Sequence, residues 1–403
     1  MSGYSSYKGR TTRKWLRPLL ITLAVLVALG AAVFFFLQNY LVVGPDGVRL
    51  EIPWLDDFIN PKPPSTGKNS PPPSDELTVI IQTPEPEISV DPQPSPSPSP
   101  TPEPERLVGP MRAYYLPPDA IEDDGRLSAA IERVRSGEIN AVMLDMKPDS
   151  GKLMWPSSQP LAIKAGAPEV DDAAKRAVER LHAEGAYVIA LFACFKDNAI
   201  PRSTVSTAVK TSGVTWLDRN NDRWLNPYSD EARWYLLDLL GELSELGFDE
   251  IALKNLHFPL QGKLNVIDYG GVSDSLSKAD VITVFLNEAR SAMGYNTALS
   301  AFVEEKTILE GEYPDGGQDL SRLTAQLDRI YYALPQKATE TSVEAMRAAL
   351  AALVDPKLMD AYFLPVATLA DNAYEAGREA AIELMTGGVT KRAWMIFNPS
   401  GNY

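Results

Sequence analysis

Ala141-Val-Met-Leu-Asp-Met146, Asp172-Ala-Ala-Lys-Arg-Ala-Val-Glu-Arg-Leu-His-Ala-Glu184 and Tyr187-Val-Ile-Ala-Leu-Phe-Ala-Cys-Phe195 follow one another in the middle of the chain. The first and third are short apolar runs of strand length. The second carries its apolar residues at helical spacing and stops at Gly185, a residue suited to a left-handed C-cap. A strand, a helix and a strand in this order make a parallel βαβ unit. The same texture extends in both directions. Strand signals also occupy Met111–Leu116, Glu250–His257, Thr297–Val303, Arg329–Leu334, Ala361–Val366 and Arg392–Phe397. Helical patterns lie between them over Asp230–Leu246, Lys278–Met293, Leu320–Leu327, Ser342–Leu353 and Asn372–Met385, and Gly247 and Gly294 close two of these. Eight strand signals in alternation with helices, within about 295 residues, match a (β/α)8 TIM barrel with right-handed crossovers. An open doubly wound sheet is the competing architecture. It usually carries a glycine-rich phosphate loop after its first strand, and Arg112-Ala-Tyr-Tyr-Leu-Pro-Pro118 has no glycine.

The residues before the barrel read differently. Leu19 to Leu37 is an uncharged, mostly apolar run, long enough for a membrane-spanning helix. Lys8, Arg10, Arg13, Lys14 and Arg17 precede it without an acidic neighbour, which keeps the N-terminus cytoplasmic and sends the rest across. A cleaved signal peptide fits less well, because the run ends in Phe34-Phe-Phe-Leu-Gln38 with no small-x-small site. From Pro61 to Glu105 there are 15 prolines, including Pro94-Ser-Pro-Ser-Pro-Ser-Pro100. Such a segment favours extended polyproline II and reaches on the order of 100 Å. It reads either as a stalk of functional length or as disorder without one. The expected organisation is a cytoplasmic basic tail (1–18), a transmembrane helix (19–37), a membrane-proximal segment and proline-rich disordered linker (38–106) and the barrel (107–403). That places the protein in the cell membrane, single-pass, with its C-terminal domain extracytoplasmic.

Charge and composition narrow the partners. The chain is formally −15; the basic tail contributes +5, so the remainder carries −20. A domain so acidic is ill suited to nucleic acid. Cys194 is the single cysteine, so there is no intrachain disulfide, and with only His182 and His257 no histidine-rich metal motif exists. No metal and no cofactor are expected. His182 lies on a helical pattern and reads as structural; Cys194 reads as a small buried hydrophobe.

In a barrel the binding face is formed by the C-terminal strand ends and the loops that follow. The polar residues there are Asp145, Lys147 and Asp149, then Lys196 and Asp197, then Lys254 and His257, then Glu304 and Glu305, with Asp319 in the next loop. The loop after the third strand adds Trp216, Asp218, Trp224, Asn226 and Tyr228. Two tryptophans among polar residues suit a sugar platform, modestly ahead of ordinary packing with a polar handle. No nucleophile elbow or triad spacing points to an ester or amide hydrolase.

Several of these blocks, in order, resemble the bacterial putative glycosyl hydrolase domain family over roughly Leu107 to Tyr403. Asn140-Ala-Val-Met-Leu-Asp-Met-Lys-Pro-Asp-Ser-Gly151 resembles its Asn-Ala-Val-Val-Ile-Asp-Val-Lys-Asp-Asp-x-Gly block. Phe195-Lys-Asp197, Trp224-Leu-Asn-Pro-Tyr-Ser229 and Leu246-Gly-Phe-Asp-Glu-Ile251 resemble its next three. The resemblance implies a barrel distantly similar to the α-amylase clan, acting on carbohydrate. Three blocks depart from the pattern, the one after the sixth strand being reduced to Tyr332-Ala-Leu-Pro335. Where the family reads Phe-Asp-Tyr-Ile-Arg-Phe-Pro, this chain reads Leu253-Lys-Asn-Leu-His-Phe-Pro259, so the aspartate implied as nucleophile is Lys254. On the fifth strand Phe302 stands where the family has an aspartate, with Glu304 two positions on.

Glycoside hydrolysis normally takes two carboxyl groups across the scissile bond. A lysine cannot be the carboxylate nucleophile, and its cation opposes an oxocarbenium ion. Two readings stay open. In one, Asp145 or Asp149 pairs with Glu304, Glu305 or Asp319 in a rearranged catalytic site. In the other, Lys254 pairs with Asp145 in a groove that binds without chemistry. The candidate catalytic residues are Asp145, Asp149, Glu304 and Asp319. The candidate substrate contacts are Lys147, Lys196, Asp197, Trp216, Trp224, Asn226, Lys254 and His257. The expected partner is a cell-wall or extracellular glycan; the sequence names no protein partner.

Overall fold

The computed structural model describes residues 41–44, 47–50 and 110–403. The chain divides into two units, 1–93 and 94–403. In the first, Leu41–Gly44 pairs antiparallel with Gly47–Leu50. The basic tail, the apolar run 19–37 and the proline-rich segment lie outside the described residues. Among the described residues no helix is long and apolar enough to cross a membrane.

The second unit is an eight-stranded parallel barrel closed in sequence order. Its strands are β1 (Arg112–Leu116), β2 (Ala141–Lys147), β3 (Tyr187–Ala193), β4 (Glu250–Lys254), β5 (Ala298–Phe302), β6 (Arg329–Ala333), β7 (Phe363–Thr368) and β8 (Trp394–Phe397). The principal helices between them are α1 (Asp124–Arg135), α2 (Ala173–Ala183), α3 (Asp230–Glu245), α4 (Lys278–Met293), α5 (Leu320–Gln326), α6 (Glu340–Leu350) and α7 (Asp371–Thr386). β8 returns to β1 through Met395 opposite Ala113, which closes the barrel and rules out the open sheet. The seventh strand starts two residues later than its sequence signal, because Met359–Tyr362 coils into a helical turn first.

Alternation along the strands sorts the core into two layers. Ala113, Tyr115, Ala141, Met143, Ile189, Leu191, Ala252, Tyr331 and Leu364 fill the barrel interior. Val142, Leu144, Val188, Ala190, Ile251 and Leu253 face the helices, meeting Leu236, Leu240 and Phe285 among others. The end of the interior nearest the strand starts is closed by polar residues. The buried Glu250 carboxylate pairs with Arg329 and accepts from Tyr187 Oη at 3.0 Å, Tyr331 Oη at 2.6 Å and Ser300 Oγ at 2.5 Å. A charge buried this deeply is tolerated because its lone pairs are all engaged. With that end filled, the opposite mouth is where side chains can meet a ligand.

Helix starts follow their caps. Asp123 accepts from Gly125 N and Arg126 N at α1, Ser229 caps α3, and Ser277 with Asp280 forms a capping box at α4. Gly185, Gly247 and Gly294 all take positive φ at helix ends.

Candidate functional site

The mouth is organised around Lys254. In β4, Glu250, Ala252 and Lys254 share the inward face, so the ammonium rises from the barrel centre at the strand end. Its Nζ lies 3.3 Å from Asp145 Oδ2 and 3.4 Å from Asp149 Oδ1. Tyr115 Oη, from β1, donates to the same Asp145 oxygen at 3.1 Å. Asn255 adopts φ +53° and donates its amide to Asp149 Oδ1 at 2.9 Å. Asp145 is almost wholly buried, and its Oδ1 has no hydrogen-bond partner among the described residues. Burial pushes its carboxyl above the ordinary value; Lys254 and Tyr115 act in the opposite direction without cancelling it.

Beside this pair opens a cavity of about 200 Å³, lined by Lys196, Asp218, Trp224, Asn255, His257 and Glu304 together with neighbouring loop residues. This is below the ~300–1,000 Å³ of sites for drug-sized ligands and fits a compact one. Backbone pairing of Lys196 with Trp224 brings the long third loop back over the mouth. Trp224 Nε1 donates to Asp218 Oδ2 at 3.1 Å, fixing the indole in the wall. Lys196 Nζ is shared by Asp222 at 2.7 Å, Asp149 at 3.5 Å and Asp218 at 3.9 Å. Burial works against its charge, but these carboxylates outweigh it and raise its pKa. His257 Nδ1 lies 2.8 Å from the Phe258 carbonyl oxygen, and its Nε2 is 3.7 Å from Glu304 Oε1. Burial lowers the pKa of the ring, with Glu304 acting against it, so the imidazole is neutral. The buried Gln318 holds the two loops together, accepting from Glu304 N and Thr307 Oγ1 and donating to Leu256 O. A larger groove of about 420 Å³ lies by the starts of β1 and β8, remote from these residues.

Five of the residues singled out from the sequence reach neither this cavity nor the Lys254 cluster beside it. Lys147 was expected beside Asp145, two positions on. A register shift between them turns Lys147 outward, where its ammonium is wholly buried against Phe192 and Tyr235. There it pairs with Asp197 at 2.8 Å and donates to Ala193 O. Asp197 in turn accepts from Ala199 N and Ile200 N. Gly151 (φ +82°) is what lets the β2 loop pass, since any Cβ there would run into Asp197 and Ala199. Trp216 is buried, with Nε1 on Lys263 O, and is a packing residue of the loop. Asn226 holds a turn, accepting from Tyr228 N and donating to Tyr269 O. Asp319 is the N-cap of α5, accepting from Arg322 N at 3.1 Å and Ser321 Oγ at 2.7 Å. Asp145, Asp149, Lys196, Trp224, Lys254, His257 and Glu304 do come together. Tyr115, Asp222, Asn255 and Gln318 join them without having been foreseen. Only Asn255 offered a signal, as a residue type that tolerates positive φ directly after a strand.

The fold is a (β/α)8 TIM barrel with a polar cavity at the C-terminal strand ends. The sequence model of the putative glycosyl hydrolase domain family matches residues 113–335, more than half of the chain, and the chain belongs to that family. No curated protein matches it. Among solved structures, a hypothetical protein from Ruminiclostridium thermocellum is 29% identical, covering 47% of this chain and 96% of its own, with a TM-score of 0.43. The glycoside hydrolase domain of PelA from Pseudomonas aeruginosa is 14% identical, covering 73% of this chain and 96% of its own, with a TM-score of 0.45. A GH20 exo-β-N-acetylglucosaminidase from Vibrio harveyi is 12% identical, covering 65% of this chain and 42% of its own, with a TM-score of 0.44.

Proposed function

We propose that this protein is a membrane-anchored, extracytoplasmic, glycoside-hydrolase-like barrel that binds carbohydrate in or near the cell wall, with hydrolysis by the family's route lost. One observation carries the reading: the Lys254 ammonium stands between Asp145 and Asp149, in ion-pair contact with both. Both carboxylates, the two nearest candidates for a hydrolytic pair, lie within 3.4 Å of one cation. That cation holds two charges a hydrolase would use and opposes the positive charge developing on the sugar. What remains is a polar cavity with an indole in its wall, suited to holding a sugar. The anchor is supported by the apolar run 19–37, the basic residues before it and the proline-rich segment after it.

A second reading, hydrolysis in a rearranged site, is favoured by the half-exposed Glu304 carboxylate facing the same cavity. The full-length chain in detergent, presented with wall and storage polysaccharides, separates the two. Saturable binding without release of reducing ends is the expected result. Release of reducing ends that disappears in Asp145→Asn or Glu304→Gln overturns the proposal.

A further inference from the structure

The carboxylates in and beside the cavity outnumber the lysines, and this bears on the ligand. The Phe258 carbonyl oxygen can only accept, so His257 Nδ1 must carry a proton to make its 2.8 Å contact. Burial lowers the pKa of the ring, which favours the neutral form with a lone pair on Nε2. That lone pair faces Glu304 Oε1 across 3.7 Å. The Glu304 carboxylate makes no side-chain hydrogen bond among the described residues; only its backbone N–H is engaged, by Gln318. With the ring in that form, two acceptors face each other across 3.7 Å. Trp224 closes the same space, its ring centroid 5.4 Å from that of His257.

The charge count points the same way. Lys196 and Lys254 are set against Asp145, Asp149, Asp218, Asp222 and Glu304. Even with Asp145 protonated, the carboxylates are in excess, and the field at the cavity is negative. Lys196 is committed to three of them, so among the described residues Glu304 has no Lys or Arg partner.

Building on the carbohydrate-binding reading, we propose that the sugar taken by this cavity carries a free primary amine, whose ammonium enters between His257 Nε2 and Glu304 beside the Trp224 ring. An ammonium donates to both acceptors at once, supplies the missing positive charge, and gains from the indole face. A hydroxyl in the same place donates a single proton and leaves the charge uncompensated. Uronic acids and other anionic sugars are repelled.

The test uses the full-length chain in detergent at neutral pH, titrated calorimetrically with oligomers of glucosamine, glucose and N-acetylglucosamine. Glucose controls for size, since its hydroxyl is no larger than the amine it replaces. Glucosamine oligomers are expected to bind about ten-fold tighter than glucose oligomers, the effect of one charge-assisted contact. Glu304→Gln is expected to abolish that preference, while Asp319→Ala, remote from the cavity, retains it. Equal binding of glucosamine and glucose oligomers, or a preference that survives Glu304→Gln, overturns the amine assignment and leaves carbohydrate binding standing. Binding of none of the three, nor of the wall and storage polysaccharides, overturns both.

Discussion

At the scale of the residue, the sign of charge at position 254 decides what the mouth can do. Lys254 is partly exposed, so its contacts with Asp145 and Asp149 are solvent-screened and contribute modestly to stability. Its larger effect is on Asp145, whose buried carboxyl keeps a raised pKa even with the ammonium beside it. Between the ordinary aspartate value, about 3.9, and that raised value, the folded chain holds a proton that the unfolded chain has released. Stability contributed by this group is therefore present at low pH and lost as pH rises through the folded-state pKa. Asp145→Asn removes that contribution. Urea unfolding at a series of pH values should show the difference between wild type and variant changing by at most about 1.4 kcal/mol per pH unit within that window, and flat outside it. A difference that does not change with pH would mean that Asp145 titrates normally. The residue types of the mouth were legible in the sequence, because charged and aromatic side chains at strand ends stand out against apolar strands. The direction each one faces was not. Lys147 and Asp145 share a face in any period-2 reading, and one extra residue in β2 separates them.

At the scale of the element, the loops after β3 and β5 decide which candidates reach the cavity. Leu225 N donates to Phe195 O and Asn226 N to Thr207 O, folding the third loop back on itself. This brings Trp224 into the cavity wall and leaves Trp216 buried beneath. In the loop after β5, Gln318 turns inward to tie loops together, while its neighbour Asp319 turns away and caps α5. That geometry predicts Asp319→Ala to cost about 1 kcal/mol in stability, the usual loss for an N-cap. Thermal unfolding together with sugar titration checks it: a lower midpoint with unchanged affinity is expected, and a loss of affinity without a lower midpoint would return Asp319 to the site. Periodicity located the strands and helices well, because burial in two layers imposes it. It could not distinguish an N-cap from a catalytic carboxylate, since both are acidic residues just before a helix.

At the scale of the whole molecule, an acidic barrel is joined through a proline-rich segment to a basic tail and an apolar run. Full-length protein expressed in cells is expected in the membrane fraction. Protease added outside intact cells should cut between Pro61 and Glu105 and release a barrel-sized fragment. Recovery of the chain in the soluble fraction, or complete protection from external protease, would overturn the anchored topology.

The sequence by itself determined the barrel, the membership of the family and the lysine at position 254. Each is a local pattern of side-chain type along the chain, and local patterns survive without coordinates. Tertiary structure alone decided that Asp149 joins Asp145 at Lys254, that Lys147 and Asp197 are buried partners away from the mouth, and that His257 faces Glu304. Those facts depend on a strand bulge, on loops that cross over neighbouring strands, and on burial that sets which groups keep their protons. None of them is carried by residue spacing.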